Sequence, residues 1–452
     1  MLAQQENILS LMGLLGGTEE EAAKKLATRI ALTVDNEAQL LANDVSALLE
    51  RSLLVVEDAA PDIELALGTT FKTQAPEKIH VGLSASALTI SRGTAGGAVT
   101  RDVPGLLRKI AACYAAGNVI ARAVGGERFA HLPDPFVVNF SAFGVSPETL
   151  GRRITLDDAV LVGAGGVGNG FMWAAQELDL AGRLTIADPK RISAGGLNRC
   201  LFFCEDDIDS DKAAVLAERT SRPGLNVDAF VGAFAKLVAE RKRVRRVFTT
   251  PDSREVRRSI QAELPLEVLD ASTTDSTAVV VHSHRQPTDR ACLACTYPHI
   301  RVEDQRRIHI AEGLGLSVDD VRRGFIDEQI ARKLAALHPN LDEAALVGKA
   351  FDTVYREQCG QDVLLTAAGE QAVAPLAFIS NLAGALLALD LARYDAPPLI
   401  EGSTYLTLDP WRPPTVHARR DPARNPDCEF CGTGNGLVAM RAVWPEMDWT
   451  AH

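Results

Sequence analysis

The chain has 452 residues, 46% hydrophobic and 23% charged, with a net charge of −12. The composition is globular, and the length exceeds one ordinary core, so two or three domains are expected. The acidic balance argues against bulk binding to nucleic acid or an anionic membrane surface, and no apolar run is long enough to cross a bilayer.

Residues 1–70 read as largely helical, with apolar residues at helical spacing over 19–32 and again over 37–53. The opening MLAQQENILS lacks a basic segment leading into an apolar core, so a cytoplasmic protein without a secretory leader is expected. Ile79, Val81, Leu83, Leu88 and Ile90 then mark strands, with glycine turns after them. Residues 106–124 form an alanine-rich apolar helix whose Cys113 reads as core. A short strand over 136–140 follows, and the first unit, an α+β domain, is expected to span 1–150.

Residues 159–162 read as a buried strand. It runs into Gly163-Ala164-Gly165-Gly166-Val167-Gly168, and a helical segment follows at 171–178. Strand, G-x-G-x-x-G and helix together form a nucleotide-binding arrangement. Gly163 permits the tight turn, Gly165 lets backbone approach phosphate, and Gly168 lets helix and strand pack closely. The helix N-terminus offers free N–H groups to an anion. A second strand, 183–187, ends at Asp188, about twenty residues past the last glycine, where a carboxylate takes ribose hydroxyls. To this point a nicotinamide-dependent oxidoreductase fits equally well.

Two further stretches do not belong to a dehydrogenase. One is Gly195-Gly196-Leu197-Asn198-Arg199. The other is Lys212, which opens a helix over 213–219 after an acidic run. Here the chain resembles the adenylating-enzyme family of ubiquitin-activating enzymes and ThiF-type activators of bacterial sulfur carriers. That family joins a glycine loop, an acid after the second strand, an S-N-L-N-R-like motif and a helix-opening lysine. Asp188, Leu197-Asn198-Arg199 and Lys212 match. Lys190 stands where the family usually has a second acid, Gly196 where it has Asn, and Cys200 where it has Gln. A strand over 244–250 leads to Asp252, Ser253 and Arg257, which fit the spacing of the family's Asp-Asn pair and following arginine. One more strand is expected over 266–269.

The resemblance implies an ATP site built from Gly163, Gly165, Gly166, Gly168, Asp188, Asn198, Arg199, Lys212 and Ser253. Arg199 and Lys212 would neutralise phosphate charge, and Asp252 would be both catalytic and a Mg²⁺ ligand.

Of the eight cysteines, four form two C-x-x-C pairs, Cys292 with Cys295 and Cys428 with Cys431. In a large cytosolic chain, as expected here, such pairs argue for metal before disulfides. Together they can close a four-thiolate Zn²⁺ site, which would be structural. The family carries a zinc between the same two places. A charged insertion over 301–358 shows helical patterns at 318–325, 329–337 and 341–355, and Cys359 follows it. By region, Cys359 is a candidate thioester nucleophile, since the family places a transfer cysteine between the zinc knuckles. Residues 374–391 resemble the family's crossover helix.

The expected fold is thus α/β. A Rossmann-like adenylation domain with a mainly parallel sheet has its nucleotide part in 151–300, a helical insertion in 301–360, and the crossover helix and zinc knuckle in 361–452. The similar apolar helix near 106–124 suggests that 1–150 is a degenerate, inactive adenylation half; a helical oligomerisation domain is the rival. The implied reaction is adenylation of the C-terminal carboxylate of a small β-grasp, ubiquitin-like or sulfur-carrier protein, then thioester transfer to a conjugating enzyme, carried out by a homodimer. Adenylation of a peptide or tRNA-linked carboxylate, NAD-dependent oxidoreduction and a non-catalytic scaffold are the alternatives.

Overall fold

The computed structural model describes all residues except 1, 58–59, 94–96, 275, 287, 289, 299–300, 352–353, 356–363, 366–370, 373–374, 396–404, 416–417, 433, 448 and 450–452. The fold is mixed α/β, with two mostly parallel sheets. The first sheet contains β1 (Arg29–Val34), β2 (Leu54–Val55), β3 (Ile63–Leu67), β4 (Glu77–Leu83), β5 (Ala87–Arg92) and β6 (Phe136–Asn139), in the order β2-β1-β3-β4-β5-β6. Neighbours are parallel as far as β4 and antiparallel thereafter.

The second sheet contains β7 (Ile154–Val162), β8 (Leu180–Ala187), β9 (Leu225–Phe230), β10 (Arg246–Thr249), β11 (Glu267–Thr274) and β12 (Ala278–Arg285). After the separate two-stranded pair β13 (Leu364–Leu365) and β14 (Gln371–Ala372), it is completed by β15 (Tyr405–Leu408) and β16 (Arg419–Arg420). Its order is β16-β15-β12-β11-β10-β7-β8-β9. Six of these strands, β8-β7-β10-β11-β12-β15, repeat the order and the parallel-to-antiparallel change of the first sheet.

The first lobe holds more strand than its sequence pattern indicates. The helix expected over 19–32 divides into α2 (Glu19–Leu26), which follows α1 (Leu2–Leu15), and the strand β1. A capping box between Thr18 and Glu21 starts α2. After Leu26 the chain becomes Ile30-Ala31-Leu32-Thr33-Val34, whose β-branched residues suit the parallel register with β3. The next helix, α3 (Gln39–Leu49), also stops short of the expected 53.

Helix α4 (Gly105–Val124) and the Ala377–Tyr394 helix occupy the same place in their lobes, each just before the last matching strand. Both are apolar nearly all round because both are buried nearly all round. They pack so closely that a Cβ on Gly117 would stand 2.6 Å from the Phe378 ring. A single apolar core therefore runs through both sheets, and Cys113 lies in it, fully buried as expected. The short helix α5 (Pro147–Leu150) leads into β7.

The insertion has its own small core around Leu314, Ile330, Leu334 and Phe351. The helix Glu328–Leu337 matches the expected 329–337, whereas the other two are shorter than the periodicity suggests. Val318–Val321 ends before Gly324 and Glu343–Leu346 ends before Gly348, both at positive φ. Among the described residues no helix is long and apolar enough to cross a membrane.

Candidate active site

Strand order creates the site. From β7 the chain passes through α6 (Gly166–Ala175) to β8 on one side, whereas β10, reached through α8 (Phe234–Arg241), lies on the other side of β7 and runs on through α9 (Arg254–Ala262) to β11. The crevice beyond the carboxyl ends of β7 and β10 is thus a topological switch point, the place where open α/β sheets take ligands. The glycine loop leaves β7 there, and Asp252 leaves β10.

Gly163 has φ +101°, and a Cβ on it would stand 2.9 Å from the Thr250 carbonyl carbon. Thr250 fixes the turn by donating its hydroxyl to the carbonyls of Gly163 and Val162, at 2.7 and 3.1 Å. A Cβ on Gly168 would lie 2.1 Å from the Gly163 carbonyl oxygen. Gly165, by contrast, has nothing within 4 Å of its Cβ direction, so its backbone faces open space. Asn169 ties the start of α6 by donating to the carbonyls of Ala164 and Gly165.

Asp188, at the end of β8, is buried and accepts from the Ala164 N–H at 2.7 Å and the Lys190 N–H at 2.8 Å. Each oxygen keeps a further acceptor site. The Lys190 Nζ lies 3.0 Å from the Asp252 Oδ2. The Lys190 carbonyl accepts from the Lys212 N–H, so α7 (Lys212–Thr220) begins beside it. Among the described residues the Lys212 ammonium forms no ion pair. The stem of Arg199 crosses the start of α6: its Cγ and Cδ lie 2.9 and 3.0 Å from where a Gly166 Cβ would stand. The structure thereby brings Gly163, Gly165, Gly166, Gly168, Asp188 and Asp252 to one mouth, with the Arg199 stem against the start of α6 and the Lys212 backbone beside Lys190.

Two expected residues have other tasks in this geometry. Asn198 is buried, donates to the Asn7 Oδ1 at 3.0 Å and accepts from the Arg199 guanidinium at 2.8 Å. Ser253 caps α9 through the Val256 N–H. Arg257 is also turned inward; it donates to Asp270 and to the Ala271 carbonyl. Tyr297 and Thr249 donate to the same buried Asp270 carboxylate.

Residues from the first lobe, invisible in local motifs, brace the Arg199 loop. The Asn7 amide donates to the Arg51 carbonyl at 2.6 Å. The Arg51 guanidinium donates to the carbonyls of Leu197, Leu201 and Phe203, at 2.6, 3.3 and 3.2 Å. From the opposite side Asn381 donates to the Arg199 carbonyl. Arg51→Ala should cost about 2–3 kcal/mol, because three carbonyls lose a charged donor. It should also raise amide exchange over residues 194–203. Urea denaturation and hydrogen exchange read both; unchanged exchange in that loop would remove the bracing role.

The four paired cysteines meet. Their sulfur atoms all lie within 4.8 Å of one another, with Cys292–Cys428 at 3.6 Å, Cys295–Cys431 at 3.3 Å and Cys292–Cys295 at 3.9 Å. A tetrahedral ion with sulfur at about 2.3 Å requires edges of about 3.8 Å, so this donor set fits Zn²⁺. The short helix α10 (Leu293–Thr296) lies within the first knuckle. Cys359 lies outside the described residues.

Comparison with known proteins agrees with this layout. Residues 142–430 match the ThiF family, and residues 1–146 match the E1 N-terminal domain. A Sinorhizobium fredii (strain NBRC 101917 / NGR234) protein designated y4jF is 25% identical over 337 residues, which cover 70% of this chain and 64% of that relative. The chain thus spans less than two thirds of the relative's length. Solved structures of E. coli MccB are also similar. The complex with MccA-N7isoASN has a TM-score of 0.37 at 14% identity, and the complex with ATP 0.36 at 13%. Each similarity covers 78% of this chain and 98% of the other. The family match takes in well over half of the chain, and on it the protein belongs to the ThiF family.

Proposed function

We propose that this protein is an ATP-dependent adenylating enzyme acting on the C-terminal carboxylate of a small ubiquitin-like or sulfur-carrier protein of β-grasp fold. The observation that carries the reading is the open Gly165 loop at the switch point, flanked by the buried Asp188, by Asp252 and by the segments of Arg199 and Lys212. A carboxylate oxygen attacks the α-phosphorus, the bond to the β-phosphate breaks, and pyrophosphate leaves. The attacking group is a weak nucleophile, so positioning and charge neutralisation must supply the rate. Asp188 takes the ribose hydroxyls. Arg199 gives forked contact to phosphate oxygens and Lys212 a point charge beside the leaving group. Asp252 would hold Mg²⁺, which supplies further neutralisation of phosphate charge. The cysteine cluster would hold a structural Zn²⁺.

The first lobe is read as a copy that has lost its nucleotide site. Residue for residue, Asp35 follows β1 as Gly163 follows β7. Its carboxylate accepts from the N–H and hydroxyl of Thr69, beyond the neighbouring strand β3. A fixed anion at that turn repels phosphate. One chain therefore already pairs two lobes; the homodimer expected from the family adds a second pair, and sedimentation reads it.

An extended tail has a place to lie. A cleft of about 490 Å³ is lined by Ala291, Cys295, Thr296, Tyr405, Arg420 and Asn425. Its Tyr405 and Arg420 lie in register with the buried row His282, Asp270 and Thr249, which ends at β10. We assign the cleft itself, on the exposed side of Tyr405 and Arg420, as the seat of the substrate's tail. Cys359 remains the proposed thioester carrier.

ATP–pyrophosphate exchange, with and without small β-grasp proteins, tests the reading. Lys212→Ala should slow exchange by about 10²–10³, as loss of one preorganised charge contact does, while the far-ultraviolet spectrum stays unchanged. Exchange driven by a short peptide alone would replace the protein substrate with a peptide. Exchange indifferent to Lys212 would overturn the assignment of the mouth.

A further inference from the structure

Lys190 lies two residues beyond Asp188, at the mouth of the glycine loop. Its backbone is fixed on both sides, by its N–H donating to Asp188 and by its carbonyl accepting from Lys212. Only the side chain is left to move. It reaches across the mouth of the glycine loop to Asp252, with Nζ 3.0 Å from Oδ2. The two side chains are 25% and 41% exposed.

We propose that Lys190 is a charge-exchange residue: it neutralises Asp252 while the mouth is empty and turns to a phosphate oxygen when a divalent cation takes Asp252. The proposal rests on the nucleotide reading of this site. Without nucleotide, the Lys190 ammonium has Asp252 as its partner at 3.0 Å, while the nearby Asp188 carboxylate is engaged by backbone N–H groups. A partly exposed pair of this kind weighs only about fivefold in an equilibrium, so it is readily given up. A hard dication prefers carboxylate oxygen and carries twice the charge of the ammonium that it displaces. The released ammonium sits on a flexible four-carbon stem beside the open Gly165 backbone and Lys212, where a triphosphate brings several anionic oxygens. A lysine here therefore lowers metal affinity before nucleotide arrives and raises nucleotide affinity after metal arrives. An acid at this position could do neither.

The test uses the full chain and Mn²⁺ as the probe, with free Mn²⁺ read by electron paramagnetic resonance. Calorimetry with α,β-methylene-ATP in saturating Mn²⁺ gives the second readout. Lys190→Met should bind Mn²⁺ alone about fivefold tighter than the unaltered protein, and adding Asp252→Asn should remove the gain. With Mn²⁺ present, Lys190→Met should hold the analogue about tenfold more weakly, and Lys190→Arg should restore both values. Equal Mn²⁺ affinity in Lys190→Met and the unaltered protein would overturn the exchange, even with weakened nucleotide binding, because Lys190 would then act on phosphate alone. Unaltered protein that takes up no analogue would instead overturn the nucleotide reading beneath it.

Discussion

Asp188→Ala is expected to abolish nucleotide binding and to lower stability by about 3 kcal/mol. The carboxylate is buried and holds two backbone N–H groups, one inside the glycine loop and one on Lys190. Without it both amides lose their acceptor, and each such loss costs about 1–3 kcal/mol. The loop then hangs on β8 by the Gly163 N–H to the Ala187 carbonyl, and Lys190 loses one of its two backbone ties. Asp188→Asn separates structure from binding. It keeps one acceptor oxygen, so most of the stability returns, but its amide points N–H groups where an acceptor is required. Calorimetry with ATP and urea denaturation, applied to both variants, read the two effects. Full ATP affinity in Asp188→Ala would take Asp188 out of the site.

Cys292→Ser is expected to lose metal and tertiary structure together. A structural Zn²⁺ contributes about 10–16 kcal/mol in small zinc domains, as much as the whole stability of an ordinary domain. The effect should travel inward along a defined route. Tyr297, at the end of the first knuckle, donates at 2.6 Å to Asp270, the buried carboxylate that also receives Arg257 and Thr249. Thr249 adjoins Thr250, which fixes the glycine turn. Loss of the ion should therefore weaken ATP binding as well as loosen the C-terminal segment. That segment carries its own reporters, Trp444 and Trp449, packed with Leu266 and Met440. Metal content by mass spectrometry and tryptophan fluorescence during chelator titration check this. A metal-free protein of unchanged stability would end the zinc reading.

The two sites differ in how far the sequence disclosed them. The glycine loop, Asp188 and the paired cysteines are legible because local geometry dictates their spacing: a turn that only glycine fits, one strand's length to the acid, two-residue gaps between thiolates. The first lobe's sheet is not legible, because residues 19–32 carry apolar spacing that serves a helix for eight residues and a strand thereafter. Asn7, Arg51 and Asn381 escape a linear reading for another reason. Each acts on the Arg199 loop from far away in the chain, and nothing near them in sequence marks the contact. Lys190 is visible as a departure from the family's pattern, but its partner Asp252 emerges only once β8 and β10 flank β7.

The tight seat of Gly117 against Phe378 has a consequence for how the protein is made. The two residues lie about 260 positions apart, so at ordinary translation speeds the first leaves the ribosome roughly 10–50 s before the second. Throughout that interval α4 carries a bare oily flank with no cover of its own chain. Stopping the chain before residue 394 should leave that flank uncovered and the fragment prone to aggregate.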